Sequence, residues 1–205
     1  MIHKSPNTNL SSSEYSPEVD RTAFIHPLAA VIGHVVIGKK VFVAPFASVR
    51  GDEGHPIFLG EESNVQDGVV IHALETERDG KPVEAHLVED AGKKYAVYIG
   101  RRVSLSHQVQ IHGPAFVGED TFVGMKSLVF RSRVGRGCVV EPGSILMGVT
   151  IGDARVVPAG TVLKDQLQAD SLPRVAEDYP LKSLNQAVVR VNTGLAAGYR
   201  KISLP

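Results

Sequence analysis

The chain has a single cysteine, Cys138, among 205 residues. That excludes an intrachain disulfide and leaves too few thiols for a cysteine zinc cage, so Cys138 reads as a small buried hydrophobe. It also lacks a surplus charge of either sign: Lys and Arg number 22, Asp and Glu number 22, and no long basic run occurs. The electrostatic footprint of a nucleic-acid or anionic-membrane partner is therefore missing. No apolar run approaches a membrane span, and the opening MIHKSPNTNLSSSEYSP has no uninterrupted apolar stretch of the secretory kind. Residues 1–17 read as a polar arm, and the protein as soluble and cytoplasmic. With 43% hydrophobic and 21% charged residues, the rest can bury a core as one domain with a short appendage.

What the chain has is a period. From Ile25 a branched aliphatic residue recurs at every sixth position, often followed by glycine, as in VIGHVV, IGKKVF, VAPFAS and, further on, IGRRVS, LSHQVQ, IHGPAF. Nineteen such leads, from Ile25, Val31 and Ile37 to Leu146, Ile151 and Val157, are all Val, Ile or Leu. A β-sandwich would instead show period-two alternation broken by turns of varying length. The hexapeptide period predicts an all-β fold, a parallel β-helix with one repeat on each of three flat faces and about six coils. Helices of this repeat class wind left-handed, against the usual crossover rule. The β-helix domain is expected over 18–166, with 75–98 as an inserted acidic loop, and 167–205 as linker and C-terminal α-helix. Leu184, Val188, Val191 and Leu195, with Tyr199 continuing the series, form an apolar stripe that predicts an amphipathic helix over about 180–200, packed along the β-helix.

His107 and His112 are five residues apart, a poor interval for two ligands of one metal on one regular element. Counting faces resolves this. If the long loop replaces one corner, Ile71 and Ile111 lead repeats on the same face of successive coils. His72 and His112, each one residue later, then stack about 4.8 Å apart with side chains outward. His107 follows Leu105 by two and falls on the preceding face. A third imidazole at the same metal would come from a neighbouring chain, and a three-faced prism favours a threefold ring. Three neutral imidazoles with an open fourth position suit a catalytic zinc or another borderline divalent ion, which acidifies bound water. His3, His26, His34, His55 and His86 have no partner at a useful offset and read as surface or packed side chains.

Acidic and amide residues cluster around the same repeats. Arg50 follows its lead by one, which puts it on the His72 face one coil away, beside Asp52 and Glu53. Arg50 and Asp52 read as a surface ion pair or, at a subunit seam, as a register-setting one. Glu53 can accept a proton that a metal makes acidic, and Glu75 can carry it to solvent. Asn64 and Gln66 at the VQDG corner either satisfy corner backbone groups or orient solvent on the metal.

The segments VRGDEGHPIF, SNVQDGVVIHALE, AVYIGRRVSLSHQVQIHGP, TFVGM, VEPGS, VTIGDARVVPAGTV and AVVRVNTGLAAGY together resemble the gamma-class carbonic anhydrases, from about Ile25 to Tyr199. The resemblance implies reversible hydration of carbon dioxide to bicarbonate by metal hydroxide at the interfaces of a homotrimer. It implies metal ligation by His72, His107 and His112, with His107 reaching across the interface. It further implies Glu53 beside the metal solvent, Glu75 as proton shuttle, Asn64 and Gln66 as active-site amides, Arg50 and Asp52 as an interface ion pair, and Asn192 as an orienting group for substrate. Zinc is the ion implied by ligand type, with ferrous iron or cobalt suiting the same site. Two features depart from the family archetype: Arg190 stands where a tyrosine is expected, and no tryptophan occurs, with Tyr15 the nearest aromatic in the arm. Two rival readings share the fold: a hexapeptide acyltransferase, which gives no reason for His72 and His112 to stack, and a non-catalytic assembly protein.

Overall fold

The computed structural model describes residues 1–202; the last three residues of the expected C-terminal segment lie outside the described residues. Three parallel sheets of eight, seven and seven short strands run side by side, and consecutive strands of the chain fall in different sheets, so the backbone coils. The packing explains the sequence period. Strand side chains alternate between faces, and the lead of each repeat points inward. Eighteen of the nineteen leads are no more than 2% exposed and merge into one core, with Ile25 partly buried at its edge. Each such side chain contributes about 1.5–3 kcal/mol through burial. Cys138 belongs to the same core; burial pushes its thiol up to about 11, and its Sγ lies 3.2 Å from the Gly152 carbonyl.

The coils number more than the six expected. Ile2–His3 pairs in parallel with Val31 and Ile32, and Val162–Leu163 extends the other end against Ile145 and Leu146. The first rung escaped the period, since Ile2 is exposed and falls outside the six-residue count, whereas Leu163 follows Val157 by six and is buried within the expected domain. The segment expected as a loop folds into two antiparallel hairpins, Glu77–Arg78 with Lys81–Pro82 and Val88–Asp90 with Lys93–Tyr95, and ends earlier than 98, since Val97–Ile99 is already a strand of the coil paired with Ile57–Leu59. The first hairpin is tied to residues of the opening segment, since the Ser12 N–H donates to Glu77 and the Asp79 N–H to the Asn9 carbonyl.

The C-terminal helix spans Leu184–Tyr199 and crosses the sheet containing Phe42–Val43, Asn64–Val65 and Ser104–Leu105. Its buried face is not the expected stripe. Asn185, Val189, Asn192 and Ala196 face the sheet, while Val191 and Leu195 are 56% and 41% exposed. The sheet surface decides this. It offers the Arg102 carbonyl, which accepts from Asn185 Nδ2 at 2.8 Å, and a close-set patch of Phe42 and Ala44 against which Ala196 fits. Tyr199 anchors the end by stacking on Phe24, with centroids 5.0 Å apart. Small and amide side chains thus take the narrow contact, and the longer aliphatics are left on the outer side.

The glycines after the leads have a steric reason. A Cβ on Gly118 would lie 2.7 Å from the Gly135 carbonyl carbon, and one on Gly100 would lie 2.8 Å from the Glu119 nitrogen. Successive coils pass too closely there for any side chain. Gly118→Ala is expected to destabilise the fold by about 1–3 kcal/mol through overpacking. Urea unfolding checks this; a wild-type midpoint would contradict the close approach.

Candidate metal centre

Strands Ser48–Gly51, Val70–His72 and Gln110–His112 are neighbours in one sheet, with Ile71 paired to Val49 on one side and to Ile111 on the other. Register and alternation then fix the outer surface: His72 is paired to His112, and their rings meet edge to face with centroids 5.5 Å apart. The inserted hairpins leave this pairing intact. His112 Nδ1 lies 3.2 Å from the Gly113 carbonyl, a contact that keeps the proton on Nδ1 and the lone pair on Nε2.

His72 Nε2 is buried and has no hydrogen-bond partner. Its nearest acidic atoms are Glu53 Oε1 at 3.4 Å and Asp52 Oδ1 at 3.6 Å. A buried polar atom left unpaired costs about 1–3 kcal/mol, so a ligand there is favoured. Burial, then the Arg50 charge, holds the His72 imidazole below its ordinary value, which keeps it in the neutral, ligating form. Burial and then the Asp52 charge push the Glu53 carboxyl above the usual carboxylate range. Arg50 Nη1 donates to both oxygens of Asp52, at 3.1 and 2.9 Å, within one chain. Among the described residues the tightest set of possible ligand atoms is Asp52, Glu53 and His72. Because Asp52 is already engaged by Arg50 and His112 stands in register beside His72, two imidazoles plus a nearby carboxylate are the better description of what one chain offers. An orphaned buried imidazole nitrogen and a second imidazole with a free Nε2 fit a borderline divalent ion.

His107 does not join this pair. It is half-exposed on another face and lines a groove of about 520 Å³ with Gln66, Asp67 and Asn192. Behind the groove runs a hydrogen-bond chain: Gln66 Nε2 donates to Asn64 Oδ1, and Asn64 Nδ2 donates to Ser104 Oγ, each at 2.9 Å. Asn64 and Ser104 are fully buried, so this chain fixes the Gln66 side chain at the groove. Asn192 Nδ2 donates to the Val188 carbonyl of its own helix at 2.9 Å. One chain therefore carries His72, His112, Glu53, Arg50 and Asp52 on one surface and His107, Gln66 and Asn192 at a groove on another, with Asn64 buried behind it.

Glu75 stands at the root of the insertion, hydrogen-bonded by Arg78, which holds its carboxyl below the usual range. Arg190 is exposed on the helix. Tyr15 stacks on His34, ring centroids 3.9 Å apart, and His34 Nδ1 lies 2.9 Å from the Gly54 carbonyl. His55 Nδ1 is buried without a partner, and with Glu53 and His72 His55 lines a cavity of about 10 Å³, room for roughly one water. Reading the sequence passed over Asp67, whose Oδ2 lies 3.0 Å from His107 Nδ1. The signal was present, since Val65 pairs with Leu105 and Asp67 and His107 both follow their leads by two.

Fold and surfaces together define a hexapeptide-repeat β-helix protein whose outer faces carry imidazole and carboxylate side chains able to hold a metal. No family model matches the chain. A carbonic anhydrase of Methanosarcina thermophila is 55% identical over 203 residues, 98% of this chain and 82% of that protein. The carboxysome assembly protein CcmM of Nostoc sp. is 40% identical over 194 residues, 95% of this chain, which spans a third (33%) of that longer protein. A crystal structure of a hexapeptide transferase family protein from Anaplasma phagocytophilum superposes with a TM-score of 0.68 at 26% identity, covering 90% of this chain and 93% of that one. The chain belongs to the gamma-class carbonic anhydrase family.

Burial lowers the imidazoles of His34 and His55 as it does that of His72, from an ordinary value of 6.5. The folded state then binds fewer protons than the unfolded chain as pH falls below that value, so stability drops on acidification. Glu53, raised by burial, acts in the opposite sense. In the presence of a chelator, the urea midpoint is expected to fall between about pH 7.5 and pH 5.5. A midpoint that holds or rises across that window would show that these histidines are not buried in neutral form.

Proposed function

We propose that the protein catalyses the reversible hydration of carbon dioxide to bicarbonate and a proton, at centres completed between the subunits of a homotrimer. His72 and His112 of one chain and His107 of the next are the ligands. The observation that carries this reading is His72 stacked on His112 with its buried Nε2 unpartnered, in a chain 55% identical to a carbonic anhydrase. A divalent ion held there supplies the Lewis acidity that makes water nucleophilic near neutral pH, zinc being the default for three imidazoles and ferrous iron or cobalt suiting the same donors.

The chain's own residues do the rest. Glu53 Oε1, 3.4 Å from His72 Nε2 and with a raised affinity for protons, takes the proton released beside the ligands. Glu75 passes it outward, which requires its carboxylate to leave Arg78, because that contact lowers its proton affinity. Gln66, held by Asn64, and Asn192 orient substrate and product from the groove, whose remaining wall includes Val188, Val191 and Leu195, an apolar surface suited to carbon dioxide. The Arg50–Asp52 pair holds the seam between subunits in register. Among the described residues no helix is long and apolar enough to cross a membrane.

Stopped-flow carbon dioxide hydration on protein purified anaerobically and loaded with zinc or ferrous iron tests this. The wild type is expected to turn over. Glu53→Gln should retain the metal and lose about 100-fold or more in rate, and His107→Ala should lose both metal and activity. Full metal occupancy without hydration would overturn the catalytic reading in favour of an assembly role.

A further inference from the structure

His107 has a neighbour with no role in the proposed chemistry. The corner after strand Asn64–Val65 lies against the corner after Ser104–Leu105, fixed by the Val65–Leu105 pairing and by the Gln108 N–H donating to the Asp67 carbonyl at 2.9 Å. On the next coil the Lys126 N–H donates to the His107 carbonyl at 3.1 Å, so the backbone that bears the imidazole is held from both sides. The side chains repeat this alignment: Asp67 Oδ2 lies 3.0 Å from His107 Nδ1. Both side chains are about half exposed in the single chain, and an exposed pair of this kind contributes little to stability. Its use must lie elsewhere.

We propose that Asp67 is a positioning residue for His107. By accepting the Nδ1–H it fixes the tautomer in which Nε2, on the far side of the ring, carries the lone pair, and it aims that nitrogen out of the chain toward a neighbouring subunit's His72 and His112. The inference rests on the shared-site reading. It adds that the outward half of each centre is preorganised before subunits meet. His112 is oriented by a backbone carbonyl and His72 by its packing against His112, whereas the side chain of His107, on an open corner, is met among the described residues by the Asp67 carboxylate. A carboxylate on the second nitrogen of a metal-binding imidazole also raises its basicity as a ligand.

The test uses the full-length protein with cobalt as the probe, reading affinity by chelator competition and geometry by the visible absorption of the bound ion. Asp67→Ala is expected to weaken cobalt affinity about 10–100-fold and alter the spectrum, with the urea midpoint unchanged. Asp67→Asn, whose amide oxygen can still accept from Nδ1–H, should recover most of the affinity; this isosteric variant also serves if the alanine variant fails to fold. Wild-type affinity and spectrum in Asp67→Ala, or a loss in Asp67→Asn as large as that in Asp67→Ala, would overturn the positioning role alone. A wild-type protein that takes up no cobalt would overturn the proposed function and this inference with it.

Discussion

Everything in this protein depends on the parallel register between successive coils. A one-residue slip of Val70–His72 against Gln110–His112 would turn His72 inward and Ile71 out, destroying core and ligand pair together. The register is held from inside by leads that are almost completely buried and at a corner by glycines that let neighbouring backbones approach within contact distance. Because it is held over the whole column, the chain can insert two hairpins and still return with Ile99 beside Leu59 and Ile111 beside Ile71. The His72–His112 pair, proposed here as metal ligands, is therefore placed by the hydrophobic effect rather than by local turn chemistry.

A prism has more than one face, and that geometry divides the chemistry. The imidazole pair and its acids sit on the sheet of Val70–His72, while His107 and the amide chain sit beside the sheet that carries the helix. The helix contributes to the second surface by being turned the unexpected way. With Asn185, Asn192 and Ala196 inward, Val191 and Leu195 border the groove that holds His107 and Gln66. Burial raises Glu53 and Arg78 lowers Glu75, so along the proposed proton path outward transfer in the resting arrangement would run against the proton affinities of the pair.

The core and the histidine stack were legible in the sequence because both follow from a fixed period: once Ile71 and Ile111 lead the same face, His72 and His112 follow. The helix was legible as an element but not in its orientation. Its hydrophobic periodicity marks the apolar stripe, whereas the sheet beneath offers a carbonyl that Asn185 reaches and a Phe42–Ala44 patch that Ala196 packs on. The first rung was missed because Ile2–His3 is exposed and lies outside the six-residue repeat, in the segment expected as a polar arm. Asp67 was missed because attention to histidines at one offset was not extended to acids at the same offset, although the Val65–Leu105 pairing places it against His107. His34 and His55 are packed side chains, as expected; what nothing in the sequence flags is that His55, half-buried beside Glu53, has a buried and unpartnered Nδ1.

The sharing of each site between chains is tested most directly by mixing subunits. His72→Ala and His107→Ala each remove a ligand from every site of their own homotrimers. In a randomly mixed trimer, a His107→Ala chain still brings His72 and His112, and an adjacent His72→Ala chain still brings His107, so intact sites reappear. Co-refolding the two inactive variants in equal amounts is expected to restore about a quarter of the wild-type carbon dioxide hydration rate, since a whole site needs the right parent at two positions. Complementation at that level would establish a site built from two chains. A mixture as inactive as its parents, with mixed trimers present, would contradict it and place the three histidines outside any common centre.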